Sequence, residues 1–137
     1  MADTIRQVAY FYIELSDRPG EGARALGVLK EAGVNLVAFH AFPHGRRAQL
    51  DFVPSDPATF KAASRMAKWQ LTGPKRAFVI EGEDRPGAVV DYFAKLGEAN
   101  INVTATSAIA AGAGRFGAIL WVKPADVKRA AKALGVG

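Results

Sequence analysis

Two identical tetrapeptides, Asp17-Arg18-Pro19-Gly20 and Asp84-Arg85-Pro86-Gly87, stand 67 positions apart and carry the residues best suited to hold a small charged molecule. Each follows a short apolar run, Phe11 to Leu15 or Phe78 to Ile80, and precedes a segment of helical period, so each reads as a strand-to-helix turn. Proline fixes φ near the helical value and suits the first helical position, and an Asp just upstream can cap free amides. Glycine lets the backbone approach a ligand or another chain closely. Free N–H groups at the positive end of a helix dipole make such a turn a seat for a carboxylate or phosphate. One copy alone would be read as a simple chain reversal, because proline is common at helix starts on structural grounds.

Other chemistry-bearing residues form no comparable constellation. His40 and His44 share a strand face only if the strand stays regular past Pro43. No third ligand is evident, and structural zinc sites usually need four, so both histidines read as polar contacts or loop positions. Glu83 and Asp84 sit where capping explains them, and neither histidine has an obvious nucleophile or orienting partner. Gly112-Ala113-Gly114 lies in a hairpin rather than at a helix start, so it is not a nucleotide loop. Arg46-Arg47 reads as a solvated hairpin, and Trp69 and Trp121 as core or interface aromatics. With no cysteine there is no thiolate chemistry and no disulfide, which agrees with a cytoplasmic protein. These residues predict no enzyme and imply no cofactor.

The tetrapeptide is part of a longer repeat. Shifted by 67, Leu26 meets Phe93, Leu29 meets Leu96, Ala32 meets Ala99, and Val34-Asn35-Leu36 meets Ile101-Asn102-Val103. Two extra residues around Gly112-Ala113-Gly114 change the offset to 69, after which Val53 meets Val122. The chain therefore holds two copies of one supersecondary unit, too few for a solenoid. At 137 residues, half of them hydrophobic, it has enough material for a real core. No apolar run reaches the roughly 20 residues that cross a bilayer, and the N-terminus lacks the apolar centre of a signal peptide. The net charge of +5 divides almost evenly, +2 over residues 1–72 and +3 over residues 73–137, with no basic block. Electrostatically driven nucleic-acid binding needs clustered basic residues and is disfavoured.

Pattern and turn chemistry place the elements. Gln7 to Leu15 reads as a strand and Gly20 to Glu31 as a helix ended by Gly33. Val34 to Phe42 and Arg47 to Val53 read as strands joined by Pro43-His44-Gly45-Arg46, and Asp56-Pro57 opens a second helix running to about Lys68. Only Trp69 to Thr72 and a Gly73-Pro74 turn precede the next strand, Arg76 to Gly82, so the first unit's fourth strand is a stub. A helix at Gly87 to Ala99, strands at Ile101 to Ala110 and Arg115 to Val122, and a helix at Pro124 to Leu134 complete the second copy. That copy reads βαββα, with its last strand missing or supplied from elsewhere. The fold class is α+β: two ferredoxin-like βαββαβ units, residues 1–72 and 73–137, with antiparallel sheets and helices on one face. The strand from Val34 to Phe42 is apolar on both faces, which predicts cover on both sides by the other repeat or a second chain. An exposed edge where the fourth strand is absent adds a reason to pair.

A strand ending in an acidic residue, then Asp-Arg-Pro-Gly, an amphipathic helix, and Glu-Ala-Gly-Val-Asn or Glu-Ala-Asn-Ile-Asn at the helix end resembles the ACT domain family. It is most similar to small proteins made of two tandem ACT domains without a catalytic domain. The resemblance covers nearly the whole chain. It implies an allosteric regulatory module that binds a small ligand, usually an amino acid, at an interface between ACT units. Carried over to this chain, the ligand-holding residues are Asp17, Arg18, Pro19, Gly20 and Asn35 in copy one. In copy two they are Asp84, Arg85, Pro86, Gly87, Ala88, Asn102 and Thr104. The family usually has an aliphatic residue two positions after the glycine, as in Val89. Gly22 stands there in copy one, and either opens room for a ligand or marks a degenerate site. Thr104 and Thr106, where copy one has Val37 and Phe39, favour copy two as the more polar pocket, although threonine also simply suits strands.

The reading is a homodimeric, amino-acid-sensing module acting on a protein partner or on its own assembly. The alternatives are an interaction module with a degenerate ligand site and, further back, an RNA-recognition module. Arg115-Phe116-Gly117-Ala118-Ile119-Leu120-Trp121 approaches the third-strand pattern of the latter but lacks its glycine after the basic residue and its central aromatic.

Overall fold

The computed structural model describes residues 3–137. In chain order the elements are β1 (Thr4–Ser16), α1 (Glu21–Glu31), β2 (Leu36–His44), β3 (Arg47–Pro54), α2 (Pro57–Met66), β4 (Thr72–Glu83), α3 (Val90–Glu98), β5 (Val103–Gly112), β6 (Arg115–Val122) and α4 (Val127–Leu134). A 3-10 turn at Pro124–Asp126 leads into α4. The fold is α+β, with antiparallel strands and the order βαββα written twice. Two compact units result: an N-terminal unit, Ala9–Lys75, and a C-terminal unit, Arg76–Gly137 together with the stretch that ends at Val8.

In the N-terminal unit the strand order is β2-β3-β1, with the first residues of β4 beside β1. Phe11 pairs with Phe52 and Ser16 with Arg47 across β1 and β3, and His44 faces Arg47 across the β2–β3 hairpin. The core is aromatic: Phe11 stacks on Phe60 with ring centroids 5.1 Å apart, and Phe52 stacks on Trp69 at 5.8 Å. Leu29 and Ala25 bring α1 onto it, and Phe60 and Ala63 bring α2. Helix α2 starts as its sequence predicts, with Pro57 in its first turn and the Asp56 carboxylate accepting from Ala58 N at 3.0 Å.

In the C-terminal unit the order is β5-β6-β4, followed by the first half of β1. The core is largely aliphatic, built on Ile80, Leu96, Leu120 and Leu134 with Phe78 and Phe116. The strand that the sequence leaves unassigned is therefore provided by the stretch ending at Val8, where Arg6 meets Glu81 at 3.2 Å. Strand β1 begins at Thr4 rather than Gln7 because its early residues serve the C-terminal unit. In the same way Gly73-Pro74 is not a turn before β4 but part of it, and the stub of the first unit is Thr72 to Lys75.

Within this chain strand β2 is not covered on both faces. None of its residues is fully buried, and Phe39 is 41% exposed, because β2 lies at a sheet edge. The strands buried on both faces are β3 from Leu50 to Pro54 and β6 from Ala118 to Val122. Both have two strand neighbours, and β6 carries the unbroken apolar run that such a position favours, whereas in β3 Asp51 interrupts it.

Candidate ligand site at the repeated turns

The two tetrapeptides fold alike. After β1, Arg18 N donates to Ser16 O at 2.9 Å and Glu21 N to Arg18 O at 3.3 Å. Gly20 takes the left-handed conformation, φ 90°, that closes the turn. After β4, Asp84 N donates to Gly114 O, Ala88 N to Arg85 O and Val90 N to Gly87 O, with Gly87 at φ 67°. The helices begin only beyond these left-handed glycines. Pro19 and Pro86 therefore sit in the turn rather than at a first helical position, and no side chain caps α1 or α3. The capping role expected of the upstream Asp is not realised: Asp17 stands three residues before the Gly20 N-cap, and Asp84 five before Val89.

The surroundings of the two turns differ. In the C-terminal unit the Arg85 guanidinium grips the carboxylate of Asp3 with both terminal nitrogens, Nη1 to Oδ1 at 3.2 Å and Nη2 to Oδ2 at 2.9 Å. Nη1 also donates to Glu83 O at 2.8 Å, and the Tyr92 hydroxyl donates to Asp3 Oδ2. The Asp3 side chain is only 5% exposed, while that of Arg85 is 44% exposed. Arg85, foremost, and the Tyr92 hydroxyl hold the Asp3 carboxyl down at about 2. Burial and the Asp3 carboxylate push the Tyr92 phenol up to about 12. Gly82 makes this possible: a Cβ there would run into the Asp3 carboxylate and stand 2.9 Å from the Phe116 ring.

In the N-terminal unit nothing of this kind closes the turn. Arg18 makes no side-chain hydrogen bond or ion pair among the described residues. The Ser16 hydroxyl donates to Glu21 at 3.0 Å, and Arg24 donates to the same carboxylate. Ser16, with Arg24 and Arg18 adding to it, lowers the Glu21 carboxyl below its ordinary value. Beside this cluster a cleft of about 350 Å³ opens between Leu15, Ala25, Val28, Ala67 and Trp69. A second cleft of about 540 Å³ shares Leu15 and Trp69 with it and is lined further by Tyr12, Arg47, Lys68 and Gln70. A side chain at Gly22 would meet nothing within 4 Å, so that glycine holds no space against a neighbour in the chain.

Within each unit the asparagines stand apart from the turns. Asn35 follows the C-terminal end of α1, whose 11 residues span about 16 Å, and its carbonyl accepts from Ser55. Asn102 is exposed in the corresponding place after α3. The Thr104 hydroxyl donates to Trp121 O at 3.1 Å and that of Thr106 to Ile119 O at 3.0 Å, so both bond to the neighbouring strand. His44 lies 3.3 Å from Glu14. His40 faces Asp51, whose burial raises its carboxyl, opposed by a hydrogen bond from Gln49. Reasoning from the motif missed Asp3, Tyr92 and Gly82. The signal lay in the departures from the repeat, Tyr92 for Ala25 and Gly82 for Leu15.

No family model matches the chain, and no curated protein matches it. Solved structures do. A protein from Bacteroides thetaiotaomicron superposes with a TM-score of 0.80 at 15% identity, over 97% of this chain and 88% of that one. The ligand-free regulatory subunit of aspartate kinase from Thermus thermophilus gives 0.65 at 16% identity over 98% and 96%. The corresponding subunit from Thermus flavus gives 0.58 at 18% identity over 98% and 94%. The likeness is one of fold, shared over almost the full length of each chain.

Proposed function

We propose that this chain is a tandem ACT regulatory module, not an enzyme, that senses an amino acid or a similar small zwitterion. The observation that carries the reading is the duplicated Arg-Pro-Gly turn, which in the N-terminal unit leaves the Arg18 guanidinium without an ion-pair partner among the described residues. The shared architecture with aspartate kinase regulatory subunits supports a regulatory role. Free backbone N–H groups and Arg18 would take a carboxylate, and Glu21 or an asparagine carbonyl would take an ammonium group. Because each asparagine lies beyond the far end of its own unit's helix, a ligand touching both turn and asparagine would have to bridge two units. Such bridging couples occupancy to assembly only as far as affinity differs between arrangements. The assembly proposed is a cytoplasmic homodimer.

A thermal-shift screen against the twenty amino acids tests this, repeated on Asn35→Ala and Asn102→Ala. A ligand at about 100 times its Kd adds about 2.7 kcal/mol. A shift from one or two amino acids, lost in one variant, is the expected result; a flat screen sinks the reading.

One observation favours a second role. Strand β5 is an edge strand whose residues from Thr104 to Gly112 are all exposed, Ile109 at 72%. An open edge of that length is a template for strand addition by a protein partner.

A further inference from the structure

The two copies can be superposed residue by residue near their turns. Val34 N bonds Leu29 O as Ile101 N bonds Leu96 O, both at 2.9 Å, so the offset of 67 holds through the helices. Ala25 is then the counterpart of Tyr92, Leu15 of Gly82, and Arg18 of Arg85. Gln70, which lines the same cleft as Leu15, is the counterpart of Asp3. In the C-terminal unit the chain thus places a phenol ring and a carboxylate of its own against the turn arginine. In the N-terminal unit both groups are absent: Ala25 lines the smaller cleft, and Gln70 lines the larger one that shares Leu15 and Trp69 with it.

We propose that the cleft between Leu15, Ala25 and Trp69 binds a small monocarboxylate bearing a flat apolar group, in the position that Tyr92 and Asp3 fill in the other unit. This rests on the small-molecule reading above and names the ligand class. The volume of about 350 Å³ lies at the lower end of small-molecule sites, which run from about 300 to 1,000 Å³. Its walls are apolar, with half-buried Trp69 along one side. Its lining carries Arg24 paired to Glu21, and Arg18, the counterpart of Arg85, stands in the adjoining turn, where Glu21 N donates to Arg18 O. Two guanidinium groups against one carboxylate leave a single positive charge, which one ligand carboxylate neutralises. Arginine suits that task because its planar fork meets a carboxylate with two parallel hydrogen bonds, the geometry Arg85 adopts on Asp3. A bare inorganic anion would leave the apolar walls wet. A neutral ring would leave Arg18 unmatched.

The test uses 4-hydroxyphenylacetate, which joins the two groups that Tyr92 and Asp3 supply, with phenol and acetate as the half-probes. Binding is read by intrinsic tryptophan fluorescence and by thermal shift. A probe of this size is expected to bind in the millimolar range or tighter. The expected result is saturable binding of 4-hydroxyphenylacetate, at least tenfold tighter than either half-probe. Ala25→Tyr should abolish it by filling the cleft from within, and Arg18→Gln should weaken it about tenfold. Ala25 is buried, so the tyrosine variant is first checked by circular dichroism; Arg18 is exposed, and its variant keeps the test decisive if the other misfolds. Undiminished binding in both variants overturns the proposal, as does phenol binding as tightly as the acid. An amino-acid response that survives both variants overturns the cleft and leaves the sensing reading intact. No response to any amino acid or to the probe overturns both.

Discussion

Asp17-Arg18-Pro19-Gly20 and Asp84-Arg85-Pro86-Gly87 agree in every residue and in the left-handed glycine that closes them, yet one arginine grips a carboxylate of its own unit and the other has no side-chain partner among the described residues. The difference is made outside the motif. Asp3 reaches Arg85 only because Gly82 has no side chain, and Tyr92 completes the contact from the first turn of α3. At the matching positions the N-terminal unit has Gln70, Leu15 and Ala25, none of which can supply a charge. In a repeat protein, then, identical motifs do not guarantee identical surroundings, and the positions that break the repeat decide which arginine meets a carboxylate of its own unit.

The most damaging way to break this contrast is Gly82→Ala. Its methyl group would displace the Asp3 carboxylate and crowd Phe116, at a cost of about 1–3 kcal/mol for overpacking alone. Urea denaturation would measure it, and a loss below about 0.5 kcal/mol would show that Asp3 is not held there. Asp3→Asn keeps the shape and removes the charge. Hydrogen bonds to charged groups contribute about 1.5–3 kcal/mol, and the expected loss at pH 7 lies near the lower figure because Arg85 remains partly in water. The folded carboxyl sits below its ordinary value of 3.8, so its contribution is present above that pH and is lost as pH falls toward about 2. Wild type and Asp3→Asn should therefore differ at pH 7 and converge near pH 2; a constant gap would contradict the ionic contact.

Asp56→Ala sharpens the contrast between real and apparent caps. It should cost about 1 kcal/mol, whereas Asp17→Ala and Asp84→Ala, which cap nothing, should each stay within about 0.5 kcal/mol. Equal losses at all three would restore capping to the turns. The smallest effect has the opposite sign. Burial raises the Asp51 carboxyl, so its ionisation opposes folding once the pH exceeds its ordinary value of 3.8. Asp51→Asn should thus raise Tm slightly at pH 7 and leave it unchanged at pH 3, with the Gln49 contact able to persist.

Much of this architecture was legible in the sequence. Periodicity, the 67-residue repeat and turn residues gave both βαββα units, and Asp56-Pro57 marked a true helix start. Arg115 to Val122 was placed residue for residue. What stayed hidden was nonlocal. An alternation of apolar and polar residues shows that Thr4 to Ser16 is a strand, and says nothing about its first half serving a different unit from its second. That β2 is an edge strand is likewise a matter of pairing order, which its apolar composition does not reveal. At the turns the motif was readable, but its state depends on a carboxylate 82 residues away in sequence.

The strand supplied by the stretch before Ala9 sets an order on synthesis. When residue 75 has left the ribosome, every residue of the Ala9–Lys75 unit is present and free to pair. The residues of β1 before Ala9 must wait for much later ones, since their unit is complete only once β6 exists. Closing that long loop carries the entropic cost of a high contact order, which places completion of the C-terminal unit late. A disturbance at the start of β1 would consequently burden the unit whose remaining residues run from Arg76 to Gly137.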